Sequence, residues 1–129
     1  MFHYTVSTTK EVDEAVEALE SSLKDEGFGV LWQLDIPSKL KEKGVDYDNP
    51  YRVLEVCNPH EAKKVLSHNL HVGYFLPCKI VVYKDQNETK IGLPKPTHLI
   101  GFVDEESQFL QEVAQDVEKR LIKAIDQVK

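Results

Sequence analysis

The sequence predicts an α+β domain. Five segments show apolar alternation or hairpin character, three show apolar residues recurring at offsets of three and four, and their order is β, α, β, β, α, β, β, α. That order lacks the strict β-α alternation of a doubly wound parallel sheet. At 129 residues, 41% hydrophobic and 29% charged, one domain spanning 1–129 is expected. A chain of this size buries about two-thirds of its unfolded surface and needs no disulfide or metal to hold a core.

Phe2, Tyr4 and Val6 alternate with His3 and Thr5 and predict a first strand. Thr8 with Glu11 fits a capping box, and Val12, Ala15, Val16, Leu19 and Leu23 share one side of a helix ending at Gly27. From Phe28 to Ile36 the chain alternates again, with Val30, Trp32, Leu34 and Ile36 on one face and Leu31, Gln33 and Asp35 on the other. Pro37 ends that strand. Ser38 to Pro50 is polar and reads as a short helical turn followed by a loop.

Tyr51 to Cys57 is the third strand, with Leu54 and Val56 opposed to Val53, Glu55 and Cys57. Asn58 as N-cap, Pro59 at the first helical position and Glu61 mark the start of a second helix carrying Ala62, Val65, Leu66 and Leu70. Gly73 opens an extended segment through Leu76, Pro77 and Cys78 into Lys79–Tyr83. A turn at Asp85, Gln86 and Asn87 leads back along Thr89–Leu93 as a hairpin. Pro94 and Pro96 end it, and Thr97 to Val103 is an apolar connector with no assigned state. From Ser107 onward Leu110, Val113, Ala114, Val117, Leu121, Ala124, Ile125 and Val128 form the stripe of a long helix.

The first and last helices should cover one sheet face. The other would show Gln33, Asp35, Val53, Glu55 and Cys57, a mixture that needs a partner or a ligand.

The net charge of -6 disfavours nucleic acid and anionic membrane. Residues 10 to 26 hold seven acids and two bases, and residues 104 to 129 hold seven acids and four bases. The acidity therefore sits on two helices, where its ordinary meaning is solvation. Trp32 and Tyr83 lack the basic groove of a single-strand binder. No apolar run approaches the ~20 residues of a membrane span, and the first residues carry no secretory pattern. Cytoplasmic location is the expectation, where Cys57 and Cys78 stay reduced.

Cys57 stands at a strand end directly before a helix start, where partial positive charge lowers a thiol pKa. A small buried residue closing the strand is the plainer reading. His60 lies three residues on. Cys78 follows Pro77 and sits near Cys57 if the third and fourth strands are neighbours, so that the two thiols share a ligand or metal, or are simply core. His68 and His71, with His60 and the cysteines, are the candidate ligands of a transition metal such as zinc. Glu55 and Asp35 are the candidate paired carboxylates. No GxGxxG, Walker lysine loop, GxSxG or HExxH is present.

Val53-Leu-Glu-Val-Cys-Asn-Pro59, then Gly73-Tyr-Phe-Leu-Pro-Cys78 and Lys79-Ile-Val-Val-Tyr83, resemble the bacterial and archaeal family called domain of unknown function 302. The likeness covers nearly the whole chain. It implies a TATA-binding-protein-like β-α-β(4)-α fold with extra elements, the second helix being an insertion among the last four strands. It also implies a homodimer, and it brings no established activity. Cys57, Asn58, Pro59, Pro77 and Cys78 match the family's pattern and, with Glu55, are the candidate ligand-binding residues. The functional expectation is a non-catalytic small-ligand-binding or interaction module. Its alternatives are thiol chemistry at Cys57 and a Cys/His metal site.

Overall fold

A computed structural model describes all 129 residues. The elements run β1 (His3–Thr8), α1 (Val12–Asp25), β2 (Gly29–Asp35), α2 (Ile36–Glu42), β3 (Tyr51–Cys57) and α3 (Pro59–His68). A 3₁₀ turn at Leu70–Phe75 follows, then β4 (Cys78–Asp85), β5 (Glu88–Pro94), α4 (Pro96–Ile100) and α5 (Gln108–Asp126). All strands belong to one open antiparallel sheet ordered β1-β5-β4-β3-β2. The strands β2 to β5 make a meander, and β1 closes its far edge against β5. Two helices, α2 and α3, are inserted within the meander.

The amphipathic stripes of α1 and α5 lie on one sheet face. Leu19, Leu23, Leu121 and Ile125 are fully buried there against Leu54, Ile80 and Ile91. Each such side chain contributes about 1.5–3 kcal/mol through burial. A satellite core of Val65, Val72, Ile100, Leu110 and Ala114 joins α3, the 3₁₀ turn, α4 and α5 beyond the sheet end.

Several boundaries differ from the sequence expectation. Glu11, not Thr8, caps α1, and Glu14 reaches back to the Glu11 N-H at 3.2 Å, whereas Thr8 Oγ1 accepts from Lys10 N-H. The second predicted helix ends at His68 rather than continuing to Leu70. Asn69 then accepts from the His71 N-H and starts the 3₁₀ turn where an extended segment was expected. The unassigned Thr97–Val103 stretch holds most of α4, opened by Pro96 in its first turn.

The larger correction concerns β2. A bulge between Val30 and Trp32 leaves Leu31 without a partner, and the pairing resumes as Trp32↔Glu55, Gln33↔Leu54 and Leu34↔Val53. Cross-strand partners share a face, so the bulge exchanges the faces beyond Val30. Gln33 and Asp35 turn to the helix side, where Gln33 Nε2 donates to Glu20 at 2.9 Å and Arg52 bridges Asp35 and Asp13. Trp32 and Leu34 join Tyr51, Val53, Val81 and Tyr83 on the open face. Tyr51 and Tyr83 stack there at 5.0 Å. The open face is therefore more apolar than the straight alternation implied, with Leu31 62% and Trp32 55% exposed at its edge.

Candidate functional site

Where β3 and β4 end, the main core and the satellite core stand apart and leave a cavity of about 320 Å³. Phe28, Val56 and Val117 line it from the main core, and Val65, Leu110 and Ala114 from the satellite core. Sixteen of its 23 lining residues are hydrophobic, so the cavity favours apolar surface. A water takes about 30 Å³ of liquid, so the space holds roughly ten small groups. Tyr74 and Phe75 of the 3₁₀ turn form its outer wall, and Tyr74 is 81% exposed.

Five of the residues picked out in the sequence, Glu55, Cys57, Asn58, Pro77 and Cys78, line this cavity. Pro59 is exposed at the first position of α3 and lies outside the lining. The strands β3 and β4 are neighbours, with Val56 opposite Cys78. Side chains alternate along a strand, so Cys78 faces the main core, against which it packs. Cys57, one residue beyond Val56, takes the opposite face with Glu55. The two thiols are near each other yet aimed to different sides of the sheet, and both are unbonded.

The surroundings of Cys57 favour the plainer reading, a neutral thiol closing the strand, over a lowered pKa. Burial pushes Cys57 up, and burial pushes Cys78 up to about 11, reinforced by the neighbouring Cys57 and Glu55 charges. Both are neutral thiols at pH 7, suited to lining an apolar wall rather than to nucleophilic attack.

Asn58 carries two jobs. Its Oδ1 accepts from the His60 and Glu61 N-H groups at 3.0 and 3.1 Å, capping α3, and its Nδ2 donates to Gly27 O at 3.0 Å. Arg120 braces the same corner, since Nη2 donates to Glu26 O at 2.8 Å while the guanidinium lies 5.0 Å from the Phe28 ring centroid.

The histidines stand elsewhere. His60 is exposed at the second position of α3. His68 lies 3.4 Å from Ser107 Oγ and against the Phe109 ring, and His71 packs on Tyr74. No three His, Cys, Asp or Glu side chains come together in a way that could hold a metal ion. The carboxylates are also apart. Asp35 caps α2 through the Ser38 N-H at 3.1 Å, and Glu55 pairs with Lys79 at 3.0 Å. Sequence reasoning missed Phe28, Val72 and Ile100 as lining residues and read Val65, Leu110, Ala114 and Val117 only as helix stripe. Their periodicity gives no sign that two cores meet between them.

Fold and cavity together define an open-faced, TATA-binding-protein-like α+β sheet domain with an apolar cavity at the strand ends. The chain belongs to the family described as domain of unknown function DUF302, whose family model matches residues 4–128. A solved structure described as uncharacterized conserved protein DUF302 from Bacillus stearothermophilus is 54% identical, with 100% of this chain and 99% of that chain covered and a TM-score of 0.94. No curated protein matches the chain. No helix is long and apolar enough to cross a membrane.

Proposed function

We propose that this protein is a non-catalytic, cytoplasmic small-ligand-binding module that works as a homodimer and takes an apolar molecule into the cavity between its two cores. The cavity itself carries the reading. Protein interiors close-pack, and a closed dry void of this size would cost on the order of 8 kcal/mol at ~24 cal/mol per Å³. A solvent-connected apolar space of this volume lies at the small end of ligand pockets. N-Phenyl-1-naphthylamine, an uncharged dye that brightens in apolar surroundings, tests it. One saturable site per chain is expected, lost in Ala62→Phe, which fills the cavity from α3. No binding, or equal binding by a folded Ala62→Phe protein, overturns the proposal.

The open sheet face supports the dimer. Five strands about 4.8 Å apart and about 20 Å long present roughly 500 Å². A face-to-face pair thus buries on the order of 1,000 Å², the lower bound of a specific interface. Sedimentation at micromolar concentration should give a species of twice the 14.8 kDa chain mass, reverting to monomer in Trp32→Glu. A monomer in the unaltered protein rejects this part. The thiol reading of Cys57 is the weaker one, because burial raises its pKa.

A further inference from the structure

The cavity wall carries few charged groups, and each already has a protein partner. Glu55 Oε1 holds Lys79 Nζ at 3.0 Å. Glu61 Oε1 holds Lys64 Nζ at 3.2 Å and lies 3.8 Å from Arg120 Nη1. The side chains of Glu55 and Glu61 are 19% and 17% exposed, so neither carboxylate is freely solvated. Asn58 is engaged at both ends, by the α3 N-H groups and by Gly27 O. What the wall still offers a ligand is hydrocarbon, aromatic faces, two neutral thiols and, at its outer edge, the uncharged hydroxyl of Tyr74.

From this we infer that the site, read as a ligand cavity as above, selects uncharged apolar molecules and rejects both carboxylates and ammonium ions of the same skeleton. An ion entering here has two routes. It can remain unpaired in a wall that is mostly hydrocarbon, which is strongly unfavourable. Otherwise it must displace a partner that Glu55, Lys79 or Glu61 already holds, and with Glu55 and Glu61 only 19% and 17% exposed a carboxylate left behind is poorly solvated. An uncharged molecule disturbs neither pair and removes apolar wall from water.

Displacement of bound N-phenyl-1-naphthylamine by three compounds of one skeleton tests the inference: naphthalene, 1-naphthoate and 1-naphthylmethylammonium. Naphthalene should displace the dye at concentrations at least tenfold lower than either ion. Glu55→Gln frees Lys79 and should improve 1-naphthoate at least tenfold. Lys79→Met frees Glu55 and should do the same for the ammonium compound. Either ion matching naphthalene in the unaltered protein overturns the selectivity while leaving the ligand cavity standing. Folded Glu55→Gln and Lys79→Met proteins that keep the original ranking overturn the ion-pair explanation. Failure of the dye to bind at all overturns cavity and selectivity together.

Discussion

Replacing Gly27 with alanine tests how the end of α1 is joined to the cavity wall. Gly27 has φ +83° and terminates the helix: its N-H donates to Lys24 O, and the Phe28 N-H reaches back to Leu23 O at 2.9 Å. An L-residue held in the left-handed region costs about 1–2 kcal/mol. A Cβ there would also lie 2.9 Å from Arg120 Nη2 and 3.2 Å from Asn58 Nδ2, the two donors that hold Glu26 O and Gly27 O. Displacing both hydrogen bonds adds about 0.5–1.5 kcal/mol each, so Gly27→Ala should cost about 2–5 kcal/mol. Gly44 supplies the control, with φ +79° and nothing within 4 Å of its would-be Cβ. Gly44→Ala should show the backbone part alone, about 1–2 kcal/mol. Urea unfolding followed by circular dichroism gives both values on one slope. Losses that agree within about 0.5 kcal/mol, the limit for independent sites, would refute the claim that Arg120 and Asn58 tie this corner together.

Gln86 has φ 57° in the two-residue turn between β4 and β5, so Gln86→Gly should stabilise by about 0.5–1 kcal/mol, read as a higher Tm; a lower Tm contradicts the strain. Asn58→Ala should lose about 0.5–2 kcal/mol through the α3 cap and about 0.5–1.5 kcal/mol more through the bond to Gly27 O, whereas Asn58→Asp keeps the cap and loses only the bond to Gly27, a smaller change in the same urea assay. Burial, the largest cause holding Cys78 above 9.0, survives removal of Cys57, so in a Cys57→Ser background its alkylation by iodoacetamide at pH 8 should still run about tenfold slower than that of an ordinary exposed thiol. Because the fold favours the neutral thiol, its contribution to stability is complete below pH 9.0 and is lost as pH rises through about 11. Urea unfolding across that window should show a smaller alkaline loss in Cys78→Ala, and an identical loss would contradict it.

The sequence carries most of the element string because its signals are local. Asn58, Pro59 and Glu61 mark a helix start that the structure keeps, and the α5 stripe from Leu110 to Ile125 is buried as its period requires. The β2 faces were illegible for a definite reason. Val30, Trp32 and Leu34 have period two whether or not a bulge intervenes, and only the pairing to β3 shows that Leu31 is skipped. The start of α1 failed by ambiguity, since Thr8–Glu11 and Glu11–Glu14 both have capping-box spacing. The cavity was half legible. Cys57, Asn58 and Cys78 mark the place, while Val65, Leu110 and Ala114 look like any core stripe until three helices and a 3₁₀ turn are set around the cavity.

A crystal structure of the protein grown with naphthalene would show whether the cavity between the two cores takes an uncharged apolar ligand. One molecule per chain is expected between α3, α5 and the ends of β3 and β4, in contact with Val65, Leu110 and Ala114 and leaving the Glu55–Lys79 pair intact. Saturating naphthalene that leaves this cavity empty, or settles instead on the open sheet face beside Trp32, would contradict it.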